Sequence, residues 1–356
     1  MGFSCGFLGL PNAGKSTLFN ALSAAGADVE GYPFCTTEAQ IGTVEVPDSG
    51  LEELAELFPD KKKVNTKIEF YDLAGLVEGA HHGEGLGNKF LAEIRGADAL
   101  IHVVRCFDNP DVPVEGGEID PAGNVETIRA ELMLKDLETV ENRLKKLDDD
   151  QKNLRDLYED LRDDLEKGIP VRDHEFSDVE LRDLRGVSPL TAKPVLYVAN
   201  VSESSPQDCI DVVEGVAEEA GARSMVINSE IEAEVRDLDL NREEQRDYLS
   251  EWGLEDSALD RLITEGYNLL NLITYYTTDG PEVRAWTIPR GADAETAAGK
   301  VHSDFAEGFI HAEVVSIGDL LEVGGVKEAR DQGLLKTRGE DYEVQDGDVM
   351  HFVTAH

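Results

Sequence analysis

The stretch Gly9-Leu10-Pro11-Asn12-Ala13-Gly14-Lys15-Ser16-Thr17 constrains this chain more than any other. It fits G-x-x-x-x-G-K-[ST], a loop that wraps phosphate. The flanking residues suit that role. Phe3 to Leu8 is a short apolar run that reads as a buried strand, and Leu18, Phe19 and Leu22 fall at helical spacing. Gly9 and Gly14 let the backbone turn its N–H groups toward phosphate oxygens, and the helix N-terminus adds partial positive charge. Ala13, Gly14 and Thr17 are expected to line the phosphates. Lys15 would reach the β- and γ-phosphates, and Ser16 would ligate Mg²⁺.

At 356 residues the chain has room for two or three domains with real cores. It shows no basic-plus-apolar leader and no run long enough to cross a membrane, so a membrane partner is not expected. Met1-Gly2 lacks the Ser or Thr that myristoylation needs, since Gly6 stands there. Cys5, Cys35, Cys106 and Cys209 are scattered with no C-x-x-C pair, which argues against structural zinc and a disulfide scaffold and fits a reducing cytoplasm. The net charge is −41, with acid spread along the whole length. Such a surface repels phosphate backbones at low salt. Two readings compete: a specialised acidic protein that avoids nucleic acid, and, favoured here, a protein adapted to a very salty cytoplasm, where self-repulsion is screened.

Past the first helix, Gly31-Tyr32-Pro33-Phe34-Cys35-Thr36-Thr37 reads as an ordered, movable loop. In a switch protein one Thr here completes the Mg²⁺ shell, and Thr36 is the candidate. The strand Lys67 to Asp72 ends in Asp72-Leu73-Ala74-Gly75, a D-x-x-G at the expected distance from the phosphate loop. Asp72 would hold Mg²⁺ through water, and the Gly75 N–H would meet the γ-phosphate. Leu76 follows, where Ras-like enzymes carry the Gln that orients water. A glycine-rich second switch, Gly79 to Gly87, carries His81, His82 and Glu84. From Ile128 to Leu165 apolar residues recur at three-and-four spacing, interrupted at Gln151. That predicts coiled-coil helices, either an antiparallel hairpin with its tip at Asp148-Asp149-Asp150 or one long helix.

The strand Val195 to Ala199 leads into Asn200-Val201-Ser202-Glu203. Guanine-binding enzymes carry N-K-x-D here, whose Asp accepts two hydrogen bonds from the base. Glu203 pushes the carboxylate out by a methylene, and Val201 replaces the Lys that packs over the ring. Asn200 could still serve an adenine N6/N7 edge, so the departure favours ATP over GTP. Ser229, after the strand Ser224 to Asn228, completes the candidate nucleotide contacts. After Tyr275 come short alternating stretches with glycine turns, which predict a small mixed α/β domain.

Together these motifs, with Gly85-Leu86-Gly87-Asn88 and Arg284-Ala285-Trp286-Thr287, resemble the YchF-type ATPases, the Obg-like branch of the P-loop switch proteins. The resemblance covers essentially the whole chain. It implies an α/β fold: a P-loop nucleotide-binding domain with an inserted α-helical coiled-coil hairpin and a C-terminal β-grasp (TGS) domain. The expected boundaries are 1–124, 125–186, 187–274 and 275–356. It also implies ATP preference, slow Mg²⁺-dependent hydrolysis and ribosome association, with rRNA contact through the TGS domain, in a monomer. In several related switch proteins an Asn at the place of Asn12 helps hold K⁺ beside the phosphates. Relatives tend to carry a His in the loop after the strand Ala99 to Cys106. Here the loop reads Pro110-Asp111-Val112-Pro113-Val114-Glu115-Gly116, which leaves the water-positioning group open. The alternatives are an ATP-loaded ribosome-binding scaffold with negligible hydrolysis, and a GTPase.

Overall fold

A computed structural model describes residues 3–24, 28–29, 40–72, 94–114, 117–148, 151–238, 244–245, 248–249 and 257–355. Two compact units form, one from Met1–Val44 with Glu69–Gly266, the other from Glu45–Ile68 with Tyr267–His356.

The first unit is built on a seven-stranded sheet in the order β2-β3-β5-β1-β6-β7-β8. The strands are β1 (Phe3–Leu8), β2 (Asp28–Val29), β3 (Gln40–Glu45), β5 (Lys67–Asp72), β6 (Ala99–Arg105), β7 (Val195–Asn200) and β8 (Arg223–Ile227). β1, β6, β7 and β8 pair in parallel. β6 and β7 are buried along their whole lengths, as strands covered on both faces must be. Register sets Leu8 beside His102, and Arg105 beside Asn200. The carboxyl ends of three strands thus converge on one edge, the place where parallel α/β sheets bind ligands. α1 (Lys15–Ala24) follows β1, α6 (Gln207–Glu219) follows β7 and α7 (Ser229–Asp237) follows β8. The core under them gathers Leu8, Leu100, Val104, Val125, Ala199 and Val213.

The helical insertion is a hairpin. α3 (Pro121–Leu144) starts on Asp120, whose side chain accepts from the Gly123 N–H, with Pro121 in the first turn. α4 (Lys152–Glu166) runs back along it, and α5 (Asp178–Val187) packs beside them; Asp149 and Asp150 of the expected tip lie outside the described residues. Val140, Leu147, Tyr158, Leu161, Leu165 and Leu184 form their own buried cluster, so the three-and-four spacing marks a two-helix arm. Asp136, fully buried on α3, accepts from the Leu190 and Thr191 N–H groups and the Thr191 hydroxyl, which locks the arm to the turn leading into β7.

The second unit has a six-stranded sheet in the order β12-β11-β13-β9-β10-β4. β9 (Leu272–Thr277) and β10 (Glu282–Pro289) form a hairpin. α8 (Ala294–Val301) follows, then β11 (Phe309–Ser316), β12 (Lys336–Arg338) and β13 (Asp348–Thr354), with β13 parallel to β9 at the centre. This is the β-grasp arrangement. Residues 45–68 belong to this unit, which the sequence did not suggest. Their β4 (Lys62–Val64) pairs in parallel with β10, and Leu51 and Leu54 of α2 (Ser49–Leu57) pack against Tyr276, Val283 and Ala285. Asp48 caps α2 and accepts from the Tyr276 hydroxyl at 2.8 Å.

Candidate active site

The phosphate loop lies directly on the sheet. At Gly9, φ is +150°, and an added Cβ would sit 2.4 Å from the Val103 carbonyl oxygen, so only glycine lets the loop hug β6. At Gly14, φ is +98°, and a Cβ would meet the Asn200 amide nitrogen at 2.0 Å. Lys15 is only 6% exposed, and its Nζ donates to the Gly9 and Leu10 carbonyls at 3.0 and 2.9 Å. Burial pulls its pKa down to about 8, against the opposing pull of the Asp72 carboxylate. Ala13 is buried, while Ser16 and Thr17 are exposed at the start of α1.

Asp72, at the end of β5, faces this loop. Burial raises its pKa, and the Ser16 hydroxyl bonded to it and the Lys15 charge lower it. Its Oδ1 is buried with no hydrogen-bond partner. A hydroxyl beside a carboxylate oxygen with an unused lone pair is the hard oxygen set that Mg²⁺ takes, so these residues fit the ion. Thr36, Gly75, Leu76, His81, His82 and Glu84 lie outside the described residues.

On the base side, Asn200 departs from expectation. It is fully buried; its Nδ2 donates to the Ala13 carbonyl at 2.8 Å, and its Oδ1 accepts from the Ser229 N–H at 3.2 Å. Asn200 has no exposed surface, and each end of its amide already holds one backbone partner. It ties the phosphate loop to the start of α7 instead. Val201 is half-buried and donates its N–H to the Ile227 carbonyl, while Glu203 stands exposed on the following turn.

Two residues near the loop were missed from sequence. Arg105, at the end of β6, donates to three carbonyls: Phe107 at 3.1 Å, Val112 at 2.9 Å and Pro113 at 2.9 Å. The Pro113 carbonyl also accepts from the Asn12 amide at 3.3 Å, so the loop after β6 is pinned to the phosphate loop. Asn12 itself is left-handed, at φ +62°. His102 is buried with its Nε2 unpartnered. Burial, then the Lys15 and Arg172 charges, push its pKa down to about 3, so it stays neutral. The signal available was polarity inside an otherwise apolar buried strand.

Strand, glycine loop and helix, with a buried lysine in the loop and a carboxylate opposite it, define a P-loop nucleotide-binding protein. A family model described as 50S ribosome-binding GTPase matches residues 4–153, and the YchF-GTPase C-terminal model, described as a protein of unknown function (DUF933), matches residues 272–355. A Haemophilus ducreyi protein named ribosome-binding ATPase YchF is 46% identical, and one of that name from Bacillus subtilis 44%, each over 99% of both chains. The chain belongs to the YchF family. The solved structure of the Schizosaccharomyces pombe YchF GTPase matches with a TM-score of 0.85 at 31% identity, covering 99% of this chain and 97% of that one.

Proposed function

We propose that this chain is a slow, Mg²⁺-dependent nucleoside triphosphatase that prefers ATP to GTP and docks on ribosomes in the cytoplasm. The observation that carries the base preference is Glu203, exposed on the turn after β7 where a guanine-reading Asp would stand. Its longer side chain does not hold the two-point geometry of that Asp, and Val201 offers no ammonium to lie over the ring. ATP hydrolysis and ribosome docking are supported by relatives named ribosome-binding ATPases.

In this reading the loop amides and Lys15 bind the β- and γ-phosphates. The Lys15 ammonium, held on the Gly9 and Leu10 carbonyls, would turn from them onto phosphate. Ser16, Asp72 and Thr36 would hold Mg²⁺, which neutralises charge between the β- and γ-phosphates when bound. The Gly75 N–H would meet the γ-phosphate. Asn12 has one amide end on Pro113, and its other end is offered to K⁺ beside the phosphates. Hydrolysis is then faster in K⁺ than in Na⁺ at matched ionic strength, and Asn12→Ala abolishes the difference.

Titration of ATP and GTP against the purified chain tests the base preference. Tighter ATP binding is expected, and Glu203→Asp with Val201→Lys should shift preference toward GTP. Equal affinities in the unmutated chain would overturn it. Single-turnover rates with and without ribosomes test hydrolysis. Negligible turnover in both would leave an ATP-loaded scaffold.

A further inference from the structure

A groove of about 870 Å³ opens between α3 and α5 in the first unit, and its charge runs against the rest of the molecule. Asp and Glu outnumber Lys and Arg by 74 to 33 in the chain. The groove reverses that balance: Arg95, Lys135, Arg143, Lys146 and Arg182 line it, against only Glu138 and Asp183. Both acids are already matched, Glu138 by Lys135 at 3.0 Å and Asp183 by Arg143. An excess of three positive charges remains. Lys146 and Arg182 are exposed and make no ion pair among the described residues. Arg95 is also exposed and donates to the Thr139 hydroxyl at 2.7 Å.

We propose that this groove is a docking site for an RNA phosphate backbone. The claim rests on the reading that the chain docks on ribosomes, and assigns part of that contact to the helical arm. Clustered cations inside so acidic a surface make a local well for a polyanion. The neutral lining fits as well. Asn142 supplies an amide donor of the kind that meets phosphate and sugar, and nothing fills the space a Gly186 side chain would take. Lys135 and Arg143 are eight residues apart on α3, a rise of about 12 Å. That length takes phosphates in a row better than a single phosphate group.

The test is a Lys146→Gln/Arg182→Gln variant of the full chain, both sites being exposed and outside the nucleotide site. Binding is read by anisotropy of a fluorescein-labelled single-stranded RNA over a KCl series and by co-sedimentation with ribosomes, with polyglutamate as competitor. ATP turnover and melting temperature serve as controls. Three phosphate contacts predict a slope of about −2 in log affinity against log salt. The variant should lose about tenfold in RNA affinity and flatten that slope by about 1.5, with turnover unchanged. If the variant binds RNA and ribosomes like the parent with the same slope, the groove is not the contact, although ribosome docking stands. If the parent binds ribosomes but not RNA, and polyglutamate displaces it, the groove takes an acidic protein and the proposal fails. If the parent binds no ribosomes, both readings fall.

Discussion

Asn200 joins two parts of the site that lie far apart in the sequence, at Ala13 and Ser229. Its amide bridges the Ala13 carbonyl and the Ser229 N–H inside a fully buried pocket. Asn200→Ala orphans both groups, each at about 1–3 kcal/mol. The expected outcome is a lower urea midpoint and weaker binding of ATP and GTP by the same factor, because the loop loosens while no base contact is lost. A selective loss of ATP, measured by titrating both nucleotides, would restore a base-reading role. Lys15 gives a second prediction, through pH. Its folded pKa, about 8, lies below the ordinary lysine value, so the folded state holds that proton less well than the unfolded state. The resulting cost is complete below about pH 8 and fades as pH rises toward the ordinary value. Lys15→Met removes the cost along with nucleotide binding. Without nucleotide, the variant's stability relative to the parent should therefore be greatest at pH 7 and decline by pH 9.5 in paired urea titrations. A gap that does not move with pH would show that the buried ammonium carries no penalty.

At the scale of elements, what could be read from sequence depended on how local the determining contacts are. The phosphate loop, its strand and its helix are contiguous, so glycines and apolar spacing sufficed. The arm's helices were legible for the same reason, since Val140, Tyr158, Leu161 and Leu165 recur at helical spacing, while the choice between a hairpin and one long helix rested on contacts between the helices. Residues 45–68 were not legible. β4 is three residues with two exposed lysines, and its partner Glu282–Arg284 comes from the far end of the chain. The buried Asp136 also escaped notice, because a carboxylate among helix acids reads as solvated surface. It accepts three hydrogen bonds from Leu190 and Thr191 and holds the arm to the sheet. Burial raises its pKa while those bonds lower it. Asp136→Ala leaves two buried N–H groups without acceptors and should cost about 3 kcal/mol. Amide exchange should quicken at Leu190 and Thr191 first. Uniform exchange changes across the first unit would argue against a local anchor.

At the scale of the molecule the dominant quantity is the charge of −41. The ion pairs among the described residues are mostly exposed side chains, such as Lys145 with Glu141 and Arg162 with Asp163, and exposed pairs contribute little. The excess acid is therefore not neutralised pair by pair, and the folded chain carries it as mutual repulsion that unfolding relieves. Screening decides the size of that repulsion. The Debye length falls from about 30 Å at 0.01 M salt to about 3 Å at 1 M, from the span of a domain to that of a single contact. Melting temperature should rise steeply between those limits, by about 10 °C if a few kcal/mol of repulsion is removed. KCl and NaCl should act alike on stability, since screening depends on ionic strength, even where hydrolysis distinguishes the two cations. Sucrose, which favours burial without screening, separates the effects: it should raise the melting temperature of the chain only modestly in dilute buffer. A melting temperature flat in KCl would mean that the acid is compensated locally after all.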